Sequence, residues 1–369
     1  MKKIIIICLI LTGMTNIAIA KTLHIKDMTG RSVIVPFDPA KIICIGPGAL
    51  RLIVYLNAQD KLAGVEDMEK LNPGGRPYWI ANRHLAKLPR IGPGGPNSIN
   101  KKPDLEAVLN VHPDLIFMTQ ADAQTVSKTQ KQLGIPIVAL SYGEFATFDE
   151  RIYDSLKLAG KILNRDKRAE AIIGFIETAR EELWEKTKGI VESEKPDVFV
   201  GGIGFRGACG IESTENNYIP IKWVNAKNIA ENITASTGSH VFMDKEKLLA
   251  MNPGSIFIDG GGLKLVEEDM LKKPEYYKAL KAFQQKRVYS LLPFNFYATN
   301  VETALADAYA IAKVLYPKAF ADIDPEKKAD EIYAFMVGKP VYADMKKDHG
   351  KIGAEYDMKL LYSSSSPGN

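Results

Sequence analysis

Cysteine is scarce, with three in 369 residues: Cys8, Cys44 and Cys209 are too few for a disulfide scaffold. Histidine is almost as scarce. His24, His84, His112, His240 and His349 form no His-x-His or His-x-x-x-His pair, so no bare-metal motif is offered. Basic blocks are missing as well, and a net charge of +4 from 48 Lys+Arg and 44 Asp+Glu does not support nucleic-acid binding. No apolar run reaches the roughly 20 residues that span a bilayer as a helix. What remains is 46% hydrophobic and 25% charged, long enough for about two domains that each bury a core.

The first twenty residues read as an export signal. Lys2 and Lys3 precede an apolar run over 4–12, and Ala18-Ile19-Ala20 is the small-x-small pattern of a cleavage site. Cys8 lies inside the apolar run, not after a lipobox, so a free periplasmic protein starting near Lys21 is expected. Loss of Lys2 and Lys3 brings the net charge from +4 to about +2. Cys44 and Cys209 fall in different halves, and whether they pair is left open.

From 21 onward the pattern alternates β and α, which predicts mostly parallel sheets covered by helices. In a first lobe (21–147), a hairpin is expected over 23–35 with its turn at Gly30. Strands are expected over 41–45, 61–65, 115–118 and 137–139, and helices over 49–56, 104–110 and 123–133. Segment 148–192 lacks proline and repeats Ile152, Leu156, Ala159, Leu163, Ile172, Ile176 and Leu183 at mostly helical spacing. It is read as one interlobe helix, bent near Asn164, with a reach of about 60 Å at 1.5 Å per residue. A second lobe (193–345) has expected strands over 197–201, 255–259 and 288–291, and helices over 244–250, 274–279 and 301–315. The stretch 346–369 is read as a tail whose serine run is disordered.

One internal repeat stands out. Leu105-Glu106, Leu109, Pro113, Ile116 and Phe117 recur as Lys245-Glu246, Leu249, Pro253, Ile256 and Phe257, each offset by 140. The fold class is therefore α/β, two Rossmann-like lobes of one plan joined by a long backbone helix.

Motifs for catalysis are incomplete. Gly202-x-Gly204-x-x-Gly207 follows an expected strand but leads into no amphipathic helix, so a nucleotide phosphate lacks its helix N-terminus; a loop in close approach to a ligand or the other lobe is expected instead. Gly207-Ala208-Cys209-Gly210 resembles a nucleophile elbow without its strand-turn-helix setting. An exported hydrolase with Cys209 as nucleophile is thus the reading of another class. Loops beyond the strand ends, where open α/β sheets bind ligands, carry Arg76, Tyr78, Trp79, Arg90 and Asn97, and, from the second lobe, Arg206, Glu212, Tyr218, Asn295, Tyr297 and Asn300. Arginines with aromatics suit a large planar or anionic chelate.

These features resemble the periplasmic substrate-binding proteins of ABC importers for iron-siderophores, haem and cobalamin. The resemblance rests on Asp27-x-x-Gly30-Arg31-x-Val33-x-Val35-Pro36, on 41–50, on Gly64-Val65-Glu66-Asp67, on Asp104-Leu105-Glu106 with Pro113-Asp114-Leu115-Ile116, and on Gly134-Ile135-Pro136-Ile137-Val138. It implies a monomer with no catalytic activity and no resident cofactor that captures a metal chelate, a ferric siderophore first among the candidates, with haem, a corrinoid or a free metal ion as alternatives. It also implies delivery to membrane permease subunits, docked by Glu106 and Glu246. Direct ligation of iron by Tyr297 is a further expectation.

Overall fold

The computed structural model describes residues 21–71, 74–95, 99, 103–144 and 147–359. The expected signal segment, Asn97 and the serine run lie outside them.

The chain opens with the antiparallel hairpin β1 (Thr22–Lys26) and β2 (Ser32–Pro36). The first lobe continues with β3 (Ile42–Ile45), α1 (Ala49–Tyr55), α2 (Asp67–Leu71), α3 (Pro77–Ala81), α4 (Leu105–Asn110), β4 (Leu115–Met118), α5 (Ala123–Leu133) and β5 (Ile137–Ala139). Its sheet is parallel in the order β3-β4-β5, with Cys44 beside Phe117 and Phe117 beside Val138. Asp27 and Arg31 explain the opening motif. The hairpin turn lies along β5, Arg31 Nη2 donating to the Ile137 carbonyl and Asp27 Oδ2 accepting from Ala139 N, which covers an otherwise open sheet edge.

Segment 61–65 forms no strand. A 3-10 turn at Gln59–Lys61 is followed by single bridging residues, Leu62 beside Ile42 and Val65 beside Arg90. Gly64 lies against the side chain of Ile91 and the carbonyl of Pro89.

The interlobe segment folds back on itself, correcting the single 60 Å rod. α6 (Arg151–Ile162) and α7 (Asp166–Thr187) are antiparallel: Tyr153 donates to Glu177, and Arg180 Nη1 reaches Glu150 at 3.1 Å. Asn164 makes the reversal with a φ of 55°, a conformation asparagine tolerates better than most residues. Gly160 permits the close approach of Ala169, whose Cβ would lie 3.0 Å from an added methyl. The helix that leads from one lobe to the other is α7, 22 residues or about 33 Å.

The second lobe comprises β6 (Asp197–Gly201), β7 (Ser213–Glu215), α8 (Ile219–Trp223), β8 (Lys227–Asn228), β9 (His240–Phe242), α9 (Lys245–Met251), β10 (Ser255–Asp259), α10 (Leu263–Lys272), α11 (Pro274–Ala279), α12 (Lys281–Gln284), β11 (Val288–Leu291), α13 (Val301–Leu315), α14 (Pro325–Val337) and α15 (Tyr342–His349). Its parallel sheet runs β11-β10-β6-β8, and β7 pairs with β9 as a separate ribbon. The 140-residue repeat now has a structural meaning: β4 and β10 are the inner strands between β3 and β5 and between β6 and β11. The expected tail is partly structured, because Gly353 N and Tyr356 N donate to the carbonyls of Ser290 and Val288 and extend the β11 edge.

One apolar core runs through both lobes, from Leu52, Val54 and Leu140 to Val198, Leu291 and Val301. α13 is buried on every side from Val301 to Ala312, packed between α7, α8 and α14, as expected of a helix apolar all round. At the carboxyl edge of the second sheet, Gly262 lies on the backbone carbonyls of Gly202 and Cys209. The glycine-rich loop therefore packs on its own lobe. Gly262→Ala puts a methyl group against two backbone oxygens, and urea denaturation is expected to show a loss of about 2 kcal/mol; a wild-type midpoint would contradict this packing.

Candidate functional site

The carboxyl ends of both parallel sheets face the region where the lobes meet. β3 ends in Gly46-Pro47-Gly48, and α1 then carries Arg51 inward, fully buried. All five guanidinium hydrogens are used. Nε donates to Asn300 Oδ1 at 3.0 Å, Nη1 to Tyr142 Oη at 3.2 Å and the Thr299 carbonyl at 3.1 Å, and Nη2 to the carbonyls of Phe296 and Tyr297, each at 3.0 Å. Burial opposes the charge, but the phenols of Tyr142, Tyr78 and Tyr55 and the carboxyl of Glu302 outweigh it and raise the pKa. A first-lobe side chain thus fixes the second-lobe loop 296–300.

Asn300 stands at the start of α13, with Nδ2 donating back to the carbonyls of Phe294 and Phe296 in the preceding loop. The turns of this loop are organised around the same guanidinium.

Beside Arg51 lies a carboxyl–phenol pair from opposite lobes. Tyr297 Oη donates to Glu66 Oε2 at 2.8 Å, and the same oxygen accepts from Gly46 N at 3.1 Å. Gly95 N donates back to Tyr297 Oη at 3.0 Å. Gly94 must be glycine here, with φ at 62° and the Glu66 Cβ 2.8 Å from where its own Cβ would lie. Burial pushes the Glu66 carboxyl up to about 7, the bonds from Tyr297 and Gly46 holding it down and neighbouring Glu69 adding to the rise. Burial, with Glu66 and Glu69 nearby, also raises the Tyr297 phenol. In the sequence Glu66 stands within Gly64-Val65-Glu66-Asp67, where a glycine and the start of α2 at Asp67 are the signal of a turn.

The arginine and aromatics of 76–79 do not line an open surface. Arg76 is buried, with Nη1 2.5 Å from Glu69 Oε2, and Tyr78 Oη donates to the same carboxylate at 2.8 Å. Trp79 packs in the core, 2% exposed. Arg76 therefore brings a charge that Glu69 already balances, and its ring contacts reach Phe296 and Tyr297 across the lobe boundary at 5.8 and 5.9 Å.

In the second lobe Asn295 Nδ2 donates to Glu215 Oε1 at 3.1 Å, while Tyr218 is buried edge-on against Phe294. Glu215, Asp259 and Asp307 are buried around them. Burial pushes Asp259 up to about 7 and raises Glu215 and Asp307 well above the carboxylate range. Arg206 is exposed on the glycine-rich loop, in a left-handed turn with φ at 57°, and Glu212 lies 3.9 Å from Lys245. Cys44 and Cys209 are free thiols, the first buried. Cys209 Sγ lies near the carbonyls of Phe205 and Gly207, whereas His240 stacks on Phe205 and contacts Ser213 Oγ. Among the described residues no group of three or more His, Cys, Asp or Glu could hold a metal ion.

Arg90 stands apart from the cleft floor, exposed and paired with Asp67 at 2.7 Å and Asp104 at 2.9 Å. Glu106 and Glu246 occupy equivalent places in the two lobes. Each sits in the first turn of a short helix whose capping aspartate accepts a backbone hydrogen bond, Asp104 from Ala107 N and Asp244 from Lys247 N.

The fold and the facing strand ends define a two-lobed solute-binding protein. The chain belongs to the periplasmic binding protein family, whose profile matches residues 42–293. It is 21% identical over 299 residues to an uncharacterised ABC transporter substrate-binding lipoprotein, YvrC, of Bacillus subtilis, covering 81% of this chain and 87% of that protein. It is 21% identical over 354 residues to the molybdate-binding protein MolA of Haemophilus influenzae, covering 90% and 95%. The structure of MolA bound to molybdate superposes with a TM-score of 0.67 over 86% of this chain and 98% of that one, at 18% identity. A periplasmic solute-binding protein of Veillonella parvula gives 0.70 over 93% and 99%, also at 18% identity. These relatives are binding proteins rather than enzymes, which sets aside Cys209 as a nucleophile. No helix among the described residues is long and apolar enough to cross a membrane.

Two outcomes follow. Arg51→Lys keeps the charge but loses the planar five-donor fork; it is expected to cost about 2–4 kcal/mol in urea denaturation and to speed amide exchange over 296–300, and wild-type exchange there would refute the anchoring role. Glu66, raised to about 7 in the folded chain against an ordinary 4.5, binds more proton folded than unfolded between those values. Its contribution to stability is complete below about 4.5 and is lost as pH rises towards 7. Glu66→Gln should flatten the stability–pH slope across that window, and an unchanged slope would exclude Glu66 as its source.

Proposed function

We propose that this chain is the solute-binding subunit of an ABC importer whose cargo is a metal chelate, a ferric siderophore in the first instance. The observation that carries this reading is the Glu66–Tyr297 pair. A carboxylate and a phenolate are hard oxygen donors suited to a hard cation, and here they meet from opposite lobes at the strand ends where α/β folds bind ligands. Burial raises the pKa of both groups, so a metal centre with open coordination positions would bind in competition with protons. Arg206, on the glycine-rich loop, is the cation available to the anionic rim of a chelate; Arg76 and Arg51 act behind the site and position its loops. Asn295 and Tyr218 support the loop that carries Tyr297. Glu106 and Glu246 dock a membrane permease, and the protein works as a periplasmic monomer after removal of residues 1–20.

The relative named for molybdate motivates a second arm in the test. Titration with a ferric catecholate and, separately, with molybdate is read by visible absorption and tryptophan fluorescence. The ferric complex should bind with a shifted charge-transfer band, more tightly at pH 8 than at pH 6. Tyr297→Phe should weaken it about 10–100-fold, the range for a lost metal-site partner, and abolish the shift. Binding of molybdate alone would reassign the cargo to an oxyanion.

A further inference from the structure

The two docking glutamates are half of a larger duplicated surface. Asp104-Leu105-Glu106-Ala107-Val108-Leu109 and Asp244-Lys245-Glu246-Lys247-Leu248-Leu249 share the pattern Asp-x-Glu-x-aliphatic-Leu, 140 residues apart. The fold uses each position identically. The aspartate caps the helix, and Val108 and Leu248 are fully buried and anchor it to the sheet. The next residue is turned outward: Leu109 is 44% exposed and Leu249 37%. Leu109 and Leu249 each follow their glutamate by three positions, so on a helix the two side chains share one face.

Neither glutamate makes an ion pair among the described residues, although charges around them do: Arg90 holds Asp104, and Lys245 holds Asp269 at 2.6 Å. Both patches also flank the cleft. Met243 N donates to the Glu212 carbonyl, in the loop beyond β6; on the other lobe Gly92 lies against Asp104 and accepts from Asp67 N, next to the cleft residue Glu66. Each lobe thus presents, beside its strand-end loops, one carboxylate with no ion pair among the described residues and one exposed leucine beside it.

We propose that Leu109 and Leu249 are the apolar contacts of the permease-docking surface, each entering a socket next to a cation on one of two like membrane subunits. The inference rests on the importer reading above. A partner that meets two copies of one pattern with equal economy has two-fold repetition itself, and unpaired acids select a basic face. The carboxylates steer the approach and the leucines set the residence time, since buried apolar anchors rather than rim charges carry most binding energy.

The test uses the full chain and the two-subunit permease of its own organism, reconstituted in lipid nanodiscs, with docking followed by surface plasmon resonance. Leu109→Ser and Leu249→Ser should each weaken docking about tenfold, the double variant about a hundredfold, in the dissociation rate and with an unchanged salt dependence. Glu106→Gln with Glu246→Gln should instead slow association and reduce its salt dependence. Wild-type dissociation by the leucine double variant, or no docking by the wild-type chain, would overturn the proposal. Light scattering that shows a dimer of this chain abolished by the same leucine substitutions would overturn it too, by giving the surface to a second copy. Ferric catecholate titration of the same samples reports separately on the cargo: failure there with leucine-dependent docking intact would refute the chelate reading and leave the docking surface standing.

Discussion

Arg51 is the side chain on which the remaining architecture depends. A buried guanidinium is tolerable only when its donors are all satisfied, and here the acceptors are a phenol, a side-chain amide and three main-chain carbonyls, four of the five belonging to the second lobe. That requirement dictates the path of 296–300, the point where α13 begins and hence the place of Tyr297. Glu302, the neighbouring acid on α13, is engaged by Tyr55 from the same face of the first lobe. The shared apolar core carries the same restriction: Leu52 and Val54 pack in one cluster with Leu291 and Val301, so separating the lobes exposes apolar surface as well as breaking the hydrogen bonds.

The strand-end region this creates is rich in buried acids. Arg51 and Arg76 are consumed by the framework, while burial raises the Glu66 and Asp259 carboxyls to about 7 and pushes those of Glu215 and Asp307 well above the usual carboxylate range. The proposed chelate would meet these acids with a cationic centre that takes oxygen donors.

Much of the fold was legible from periodicity and punctuation. The strands at 115–118, 137–139, 197–201, 255–259 and 288–291 and the helices at 123–133, 274–279 and 301–315 lie where the pattern places them, because apolar runs bounded by Gly, Pro or Asp carry strong local signals. The α6–α7 reversal was misread because Asn164 interrupts a helical period that continues on both sides, and periodicity does not report direction. The site was legible by location more than by role. Loops beyond strand ends were read as the ligand site, and within them Arg76, Tyr78 and Asn300 are interior framework, since sequence gives no view of which carboxylate or carbonyl lies opposite a polar side chain. Arg51 and Glu66 are hidden for the same reason: one sits in an apolar helix, the other in a glycine-bounded turn, and their partners across the lobes, Asn300 and Tyr297, are more than 200 residues away.

The central claim is that the lobes form one body pinned by Arg51, which receives its cargo without wide opening. Spin labels placed at Lys128 on α5 and Lys264 on α10, with Cys44 and Cys209 replaced, would read the interlobe distance by pulsed electron resonance. The account predicts a single narrow distance distribution that stays in place when a ferric catecholate is added. A shift larger than the width of that distribution, or two populations in the unloaded protein, would contradict it.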